Sequence, residues 1–246
     1  MAVVSIDAPA AAPRPSAPKP PSRQQPIGVQ WLNDRFRDLS PRERLRLFFS
    51  SPVLTSPRVL VTSSFGTTAA LLLHMLKEAG VDYPIYFLNT SFHFLETLEY
   101  KEALTRRLDL DVRVLRAAPP DLRRTLETGL WSYDPEGCCN VNKVRPLARV
   151  KNRADIWVSG LMNWQSPTRE DLEVFEMKGD LMKFYPLVDF AYDQVQAYYA
   201  LHDLPRHPLE ARGYSSVGCT HCTQPGDGRE GRWAGTGKTE CGLHGR

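Results

Sequence analysis

A doubly wound α/β fold on a mostly parallel sheet is predicted for this chain by three observations. Short strand-like runs alternate with longer helical stretches four times between residues 58 and 159. The first such run, Arg58-Val-Leu-Val-Thr62, is β-branched and apolar, as a strand buried on both faces should be. The 246 residues are enough for one sizeable core, or two small ones. Repeated alternation implies βαβ crossovers, which lay helices on both faces of the sheet.

The elements follow in order. Residues 1–26 are dominated by Ala, Pro and Ser, and Pro13-Arg-Pro-Ser-Ala-Pro-Lys-Pro-Pro21 sustains neither helix nor ladder. A disordered tail is expected there. Ser40, Pro41 and Glu43 form a helix start: a capping serine, proline at the first position and a glutamate closing the box. After the strand at 58–62, residues 67–79 read as helix, with leucines at 71, 72, 73 and 76 and Gly80 as the stop. Residues 85–88 are the second strand and 94–108 the next helix. Residues 111–115 are the third strand, 119–128 the third helix, and 156–159 the fourth strand.

Composition narrows the function. A formal charge of +3 is too small to argue for nucleic acid, and no apolar run approaches the roughly 20 residues needed to cross a bilayer. The N-terminus lacks a continuous apolar segment, so no secretory signal is expected. Arg229, Arg232, Lys238 and Arg246 gather near the C-terminus, which suits a small anionic substrate. Five cysteines in such a chain read as metal-binding or catalytic, in a reducing compartment, the cytoplasm.

Sheets of this kind bind ligands at the carboxyl ends of their strands. The first such loop, Thr62-Ser-Ser-Phe-Gly-Thr-Thr68, offers small residues such as Ser64 and Gly66 in front of a helix N-terminus, either as a phosphate cradle or as a tight capped turn. The cysteines divide four to one. Cys138 and Cys139 are adjacent, Cys219 and Cys222 form a C-x-x-C pair, and Cys241 stands alone five residues from the end. The C-x-x-C spacing suits zinc, while adjacent cysteines reach a large centre such as an iron–sulfur cluster more easily than one ion. Cluster, zinc and free thiols all stay open on spacing alone. Lys238 and His244 flank Cys241, and positive neighbours raise the thiolate fraction that makes a cysteine nucleophilic.

Three segments carry a family resemblance. Gly137-Cys-Cys-Asn-Val-Asn-Lys-Val-Arg-Pro-Leu147, Gly213-Tyr-Ser-Ser-Val-Gly-Cys-Thr-His-Cys-Thr223 and Lys238-Thr-Glu-Cys-Gly-Leu-His244 resemble, in this order, the cysteine segments of assimilatory adenylylsulfate (APS) reductases. The likeness covers residues 40–246. It implies an adenine-nucleotide α-hydrolase-like fold and a [4Fe–4S] cluster on Cys138, Cys139, Cys219 and Cys222. It also implies reduction of APS to sulfite and AMP through an S-sulfocysteine on Cys241, discharged by thioredoxin or a glutaredoxin-like dithiol. Substrate contacts are implied for Ser64, Gly66, Lys143, Arg169, Arg229, Arg232 and His244, and Thr90 is a further candidate for the adenosine end. Trp233 is placed to cover the nucleotide. The chain then divides into a tail (1–26), a nucleotide-binding reductase domain with the cluster site (27–228) and a catalytic C-terminal segment (229–246). Family members are commonly homo-oligomers.

The chain also departs from the family pattern. Asn89 and Ser91 stand where the family has Asp and Gly, and Asn142 replaces the arginine that usually precedes the lysine. The segment Leu161-Met-Asn-Trp164 is normally rich in arginine. Arg145, Arg149 or Arg153 are candidates to restore the charge. Substrates that remain open are the 3′-phosphorylated form (PAPS) or both; ATP, in a pyrophosphatase-type sulfur transfer, or a structural metal module are the rival readings.

Overall fold

The computed structural model describes residues 28–51, 58–236, 238, 240 and 242–243. The expected tail, Cys241 and His244 lie outside the described residues. Helices α1 (Val29–Phe36) and α2 (Pro41–Ser50) precede strand β1 (Val59–Thr62). Then come α3 (Ala69–Glu78), β2 (Ile85–Leu88), α4 (Leu95–Leu108), β3 (Val112–Leu115) and α5 (Pro119–Thr128). A helical run of α6 (Leu130–Tyr133), α7 (Pro135–Cys139), a π-turn (Asn140–Val144) and α8 (Arg145–Lys151) leads to β4 (Ile156–Val158). The strands β5 (Phe175–Lys178) and β6 (Leu181–Phe184) and helix α9 (Tyr192–Leu201) complete the order.

The six strands lie in the order β3-β2-β1-β4-β6-β5, all neighbours parallel except β5 against β6. The doubly wound expectation therefore holds, with an antiparallel hairpin added at one edge. Every predicted strand and crossover helix is present within two residues of its expected bounds. The Ser40 cap is also as expected, with its hydroxyl and the Glu43 carboxylate forming the reciprocal box. The added hairpin turns at Gly179, whose φ of +60° suits a residue without a Cβ.

Burial explains the layering. Leu71, Leu72, Leu73, Met75 and Leu76 of α3 pack on one face of the sheet. Around the hairpin, Phe175 and Phe184 stack at 4.6 Å, and Phe48 of α2 stacks on Phe184 at 4.5 Å. Asn33 of α1, 1 % exposed, ties that helix to the edge: it donates to the Phe175 carbonyl at 3.0 Å and accepts from the Phe175 N–H at 2.8 Å. An edge strand so paired cannot recruit another chain at that residue. No helix among the described residues is long and apolar enough to cross a membrane.

Candidate active site

Strand order creates the crevice. The chain winds outward from β1 through β2 to β3 on one side, and resumes at β4 on the other, so the loops leaving β1 and β4 part at a topological switch point. A cavity of about 550 Å³ opens there, within the range of small-molecule sites. The first loop contributes Ser63, Ser64, Gly66, Thr67 and Thr68, and the β4 loop contributes Ser159, Gly160, Leu161, Trp164, Gln165 and Arg169. Phe65 turns the first loop: its φ is +50°, its ring is fully buried against Phe87, and the Ser63 hydroxyl accepts from its N–H at 3.1 Å. Strain of this kind holds an L residue in a conformation it seldom adopts. Helix α3 starts just behind with no side-chain cap; its first N–H groups are taken by the loop itself, Ala69 donating to the Gly66 carbonyl at 3.0 Å and Leu71 to the Thr68 carbonyl at 3.3 Å.

The cations converge on the same space. Lys143, Arg169, Arg229 and Arg232 all line the cavity. Arg232 donates through Nη1 to the Ser216 hydroxyl at 3.2 Å and the Val217 carbonyl at 3.3 Å. Its guanidinium lies so close to Gly218 that a Cβ there would overlap it. Three residues on the wall were not anticipated. Trp157 donates from Nε1 to Thr62 Oγ1 at 2.8 Å. Arg206 stacks on Tyr199 at 4.6 Å. His93 donates from Nε2 to the Leu88 carbonyl at 2.8 Å, and burial drives its pKa down to about 4. That ring is neutral at physiological pH, so it adds no charge to the wall.

The four cysteines meet beside this cavity. Cys138 and Cys139 end α7, whose first turn is capped by Asp134 through the Gly137 N–H at 2.8 Å. Cys219 is carried to them by an antiparallel bridge to His93, and Cys222 follows on one 3₁₀ turn. All four are free thiols, three of them buried, on the wall of one small pocket. Among the described residues, the one trio of ligand atoms within 4.8 Å of one another is His74, Glu78 and His202. No three cysteine sulfurs come that close, and the His–Glu trio is already closed by Arg42, 2.7 Å from His202 Nε2 and 2.9 Å from Glu78. Burial, then the neighbouring Cys139, Cys219 and Cys222, push the Cys138 thiol up to about 11. Burial and Cys219 raise Cys222 too, against the opposing charges of Lys143 and Arg232. Trp131 stacks on His221 at 4.1 Å, and Phe92 closes the aromatic cover. Lys143 is 9 % exposed and lines both spaces, a wall shared by the thiols and the cavity.

Residues 58–225 match the phosphoadenosine phosphosulfate reductase domain family. The chain belongs to that family. The adenosine 5′-phosphosulfate reductase of Mesorhizobium japonicum is 40 % identical over 88 % of this chain and 86 % of the relative. The phosphoadenosine 5′-phosphosulfate reductase of Zymomonas mobilis is 34 % identical over 91 % and 94 %. A crystal structure of phosphoadenylyl-sulfate reductase from Candida auris shares the fold, with a TM-score of 0.68 over 80 % of this chain and 96 % of that one, at 24 % identity. Membership of the reductase family makes the chain an oxidoreductase.

Several expectations drawn from the family pattern change against this geometry. Thr90 does not face the cavity: it is 1 % exposed and its hydroxyl lies 3.3 Å from the Cys219 sulfur. Ser91 holds a φ of +67°, and Asn89 accepts its N–H at 2.9 Å, so these two departures form one turn. Asn142 is 1 % exposed and donates to the Cys138 carbonyl at 3.0 Å and the Thr125 hydroxyl at 3.2 Å. It is not on the cavity wall, so the arginine it replaces costs the cavity no charge. None of Arg145, Arg149 and Arg153 lines the cavity either; Arg145 pairs with Asp121 at 3.6 Å, and Arg149 donates to the Arg116 carbonyl. Trp233 is no lid. It is 3 % exposed and lies under three cations, Arg232 at 4.4 Å, Arg229 at 5.6 Å and Lys238 at 5.6 Å. Lys238 reaches Glu136 of α7 at 2.7 Å.

Proposed function

We propose that the chain is a dithiol-dependent APS reductase, with residues 229–246 as its catalytic segment. One observation carries this reading: Lys143 stands in the wall between a four-cysteine nest and an anion-ready nucleotide cavity. Adenosine would lie in the crevice at the switch point. The phosphosulfate would meet the Ser64–Gly66 backbone, Lys143 and Arg232, with Arg169 and Arg229 beside them.

Cys241 and His244 are outside the described residues; of the same segment, Glu240 and Leu243 line the cavity, which supports the reading of this segment as the catalytic one. In the proposed reaction the Cys241 thiolate attacks the sulfur of APS. An S–S bond forms, the S–O bond to phosphate breaks, and AMP leaves with the electron pair. A dithiol protein such as thioredoxin then attacks the Cys241 sulfur, and sulfite leaves. Its second thiol resolves the mixed disulfide, returning Cys241 as thiolate and leaving the reductant as disulfide. Four cysteines outside any disulfide and such a reductant suit the cytoplasm.

Cys138, Cys139, Cys219 and Cys222 would hold a [4Fe–4S] cluster. Sulfurs on one tetrahedral zinc stand only about 3.8 Å apart, whereas no three here lie within 4.8 Å, so the donor set fits a larger centre. The cluster would supply an electrostatic field next to Lys143, which orients the substrate's anion.

The Zymomonas relative's name keeps PAPS as a second substrate. Anaerobically purified protein is therefore given APS or PAPS without reductant, and followed by intact mass and nucleotide release. One sulfonate gained with APS, lost in Cys241→Ser and released as sulfite by thioredoxin, is the expected result. An adduct with PAPS alone moves the substrate, and none with either sinks the reductase reading.

A further inference from the structure

The side chain just before Cys241 is firmly held. The Glu240 carboxylate lies across two guanidiniums: Arg169 donates from Nε at 2.9 Å and Nη2 at 3.0 Å, and Arg229 from Nη2 at 3.0 Å. The Ser166 hydroxyl adds a bond at 3.2 Å, and Gln165 steadies Arg169 by accepting from Nη1 at 2.6 Å. Two-pronged pairing of this kind fixes direction as well as distance. The Arg169 side chain is 9 % exposed and that of Glu240 20 %, so this is not the solvated surface pair that contributes little. Burial favours the protonated acid, but the hydrogen bonds and charges of Arg169 and Arg229 outweigh it and hold Glu240 below the usual carboxylate range. Beyond Cys241, Leu243 packs on the apolar group of Leu60, Leu147 and Trp157. The segment is thus held by an ionic dock at Glu240 and an apolar one at Leu243.

We propose that Glu240 is the positioning residue of the C-terminal segment: its carboxylate docks on Arg169 and Arg229 and so sets the reach of Cys241 into the cavity. The two arginines then hold a group of the chain itself at the edge of the cavity that they line together with Lys143, Arg232 and the 63–68 loop. The positioning half rests on the reading of Cys241 as nucleophile; the docking half does not.

Hydrogen exchange over residues 236–246 of the full-length protein, without substrate, tests the dock. Glu240→Gln keeps the shape and removes the charge. Exchange there is expected to quicken about tenfold or more, with the rest of the molecule unchanged and Tm held within about 2 °C. Glu240→Asp, one methylene shorter but still charged, falls between. Unaltered exchange in Glu240→Gln overturns the dock. On the same proteins AMP affinity is expected to hold within about twofold while single-turnover sulfonation of Cys241 falls about tenfold or more, a split that a merely structural residue would not produce. Faster exchange with unchanged sulfonation overturns the positioning role. A parent protein that takes no sulfonate from APS or PAPS fails the reductase reading, and the exchange result still decides the dock.

Discussion

Individual side chains of this site owe their positions to close backbone approach. Gly218 leaves the space that the Arg232 guanidinium fills, and Arg232 in turn lies on Trp233 and bonds Ser216. A methyl at 218 would push the guanidinium aside without touching the hydrophobic core. Gly218→Ala is therefore expected to raise KM for the nucleotide substrate about tenfold, the loss of about one charge-assisted hydrogen bond, with Tm within about 2 °C. Steady-state kinetics beside a melting curve check it. A matching fall in Tm would mean that the glycine serves the fold instead. At Ser91 the same physics runs in the other direction: an L residue keeps a left-handed φ because Asn89 accepts its N–H.

At the scale of elements, two junctions decide the site. The π-turn at Asn140–Val144 joins α7 to α8, where Arg145 N–H reaches back to the Asn140 carbonyl and Pro146 has no N–H to give the Asn142 carbonyl. That widened turn buries Asn142 against Cys138 and Lys143 against the cavity wall. The other junction is α1 on the edge strand. Asn33→Ala would leave the N–H and carbonyl of Phe175 without partners in a buried seam. A loss of about 2–3 kcal/mol is expected, read as a fall in Tm of roughly 4–12 °C. Activity per folded molecule should be unchanged, because α1 does not line the cavity.

For the whole molecule, acid stability follows from two buried histidines. His207 accepts from the Leu209 N–H at 3.2 Å on Nδ1, which leaves Nε2 to donate to Thr97 at 3.0 Å. Burial lowers its pKa to about 4, as it does that of His93. The unfolded chain takes up these protons near 6.5 and the folded one only near 4, so falling pH favours unfolding across that window. Stability is expected to be fully present above pH 6.5 and to decline toward pH 4, by an amount on the order of 3 kcal/mol per histidine. Denaturant titrations from pH 8 to 5 read the slope. His207→Gln should flatten it, and an unchanged slope would assign the loss elsewhere.

Local chemistry wrote much of this protein into its sequence. The four predicted strands and the crossover helices were legible because apolar period, caps and glycine stops act within a few residues. Both cysteine pairs were legible as chemistry from residue type and spacing, whereas Lys143 and the spaced arginines stood out only through the family resemblance, since a solvated surface charge is the usual fate of such residues. The hairpin's Gly179-Asp180 signal was present but lay outside the βαβ rhythm. Other features depended on residues far apart in the chain. Thr90 faces a sulfur 129 positions away, Trp233 is roofed by three cations, and Glu240 docks on an arginine 71 positions back. Sequence alone determined the elements and the reactive groups; which groups share a wall was decided only by the sheet order, because packing and ion pairing act through space and are indifferent to position along the chain.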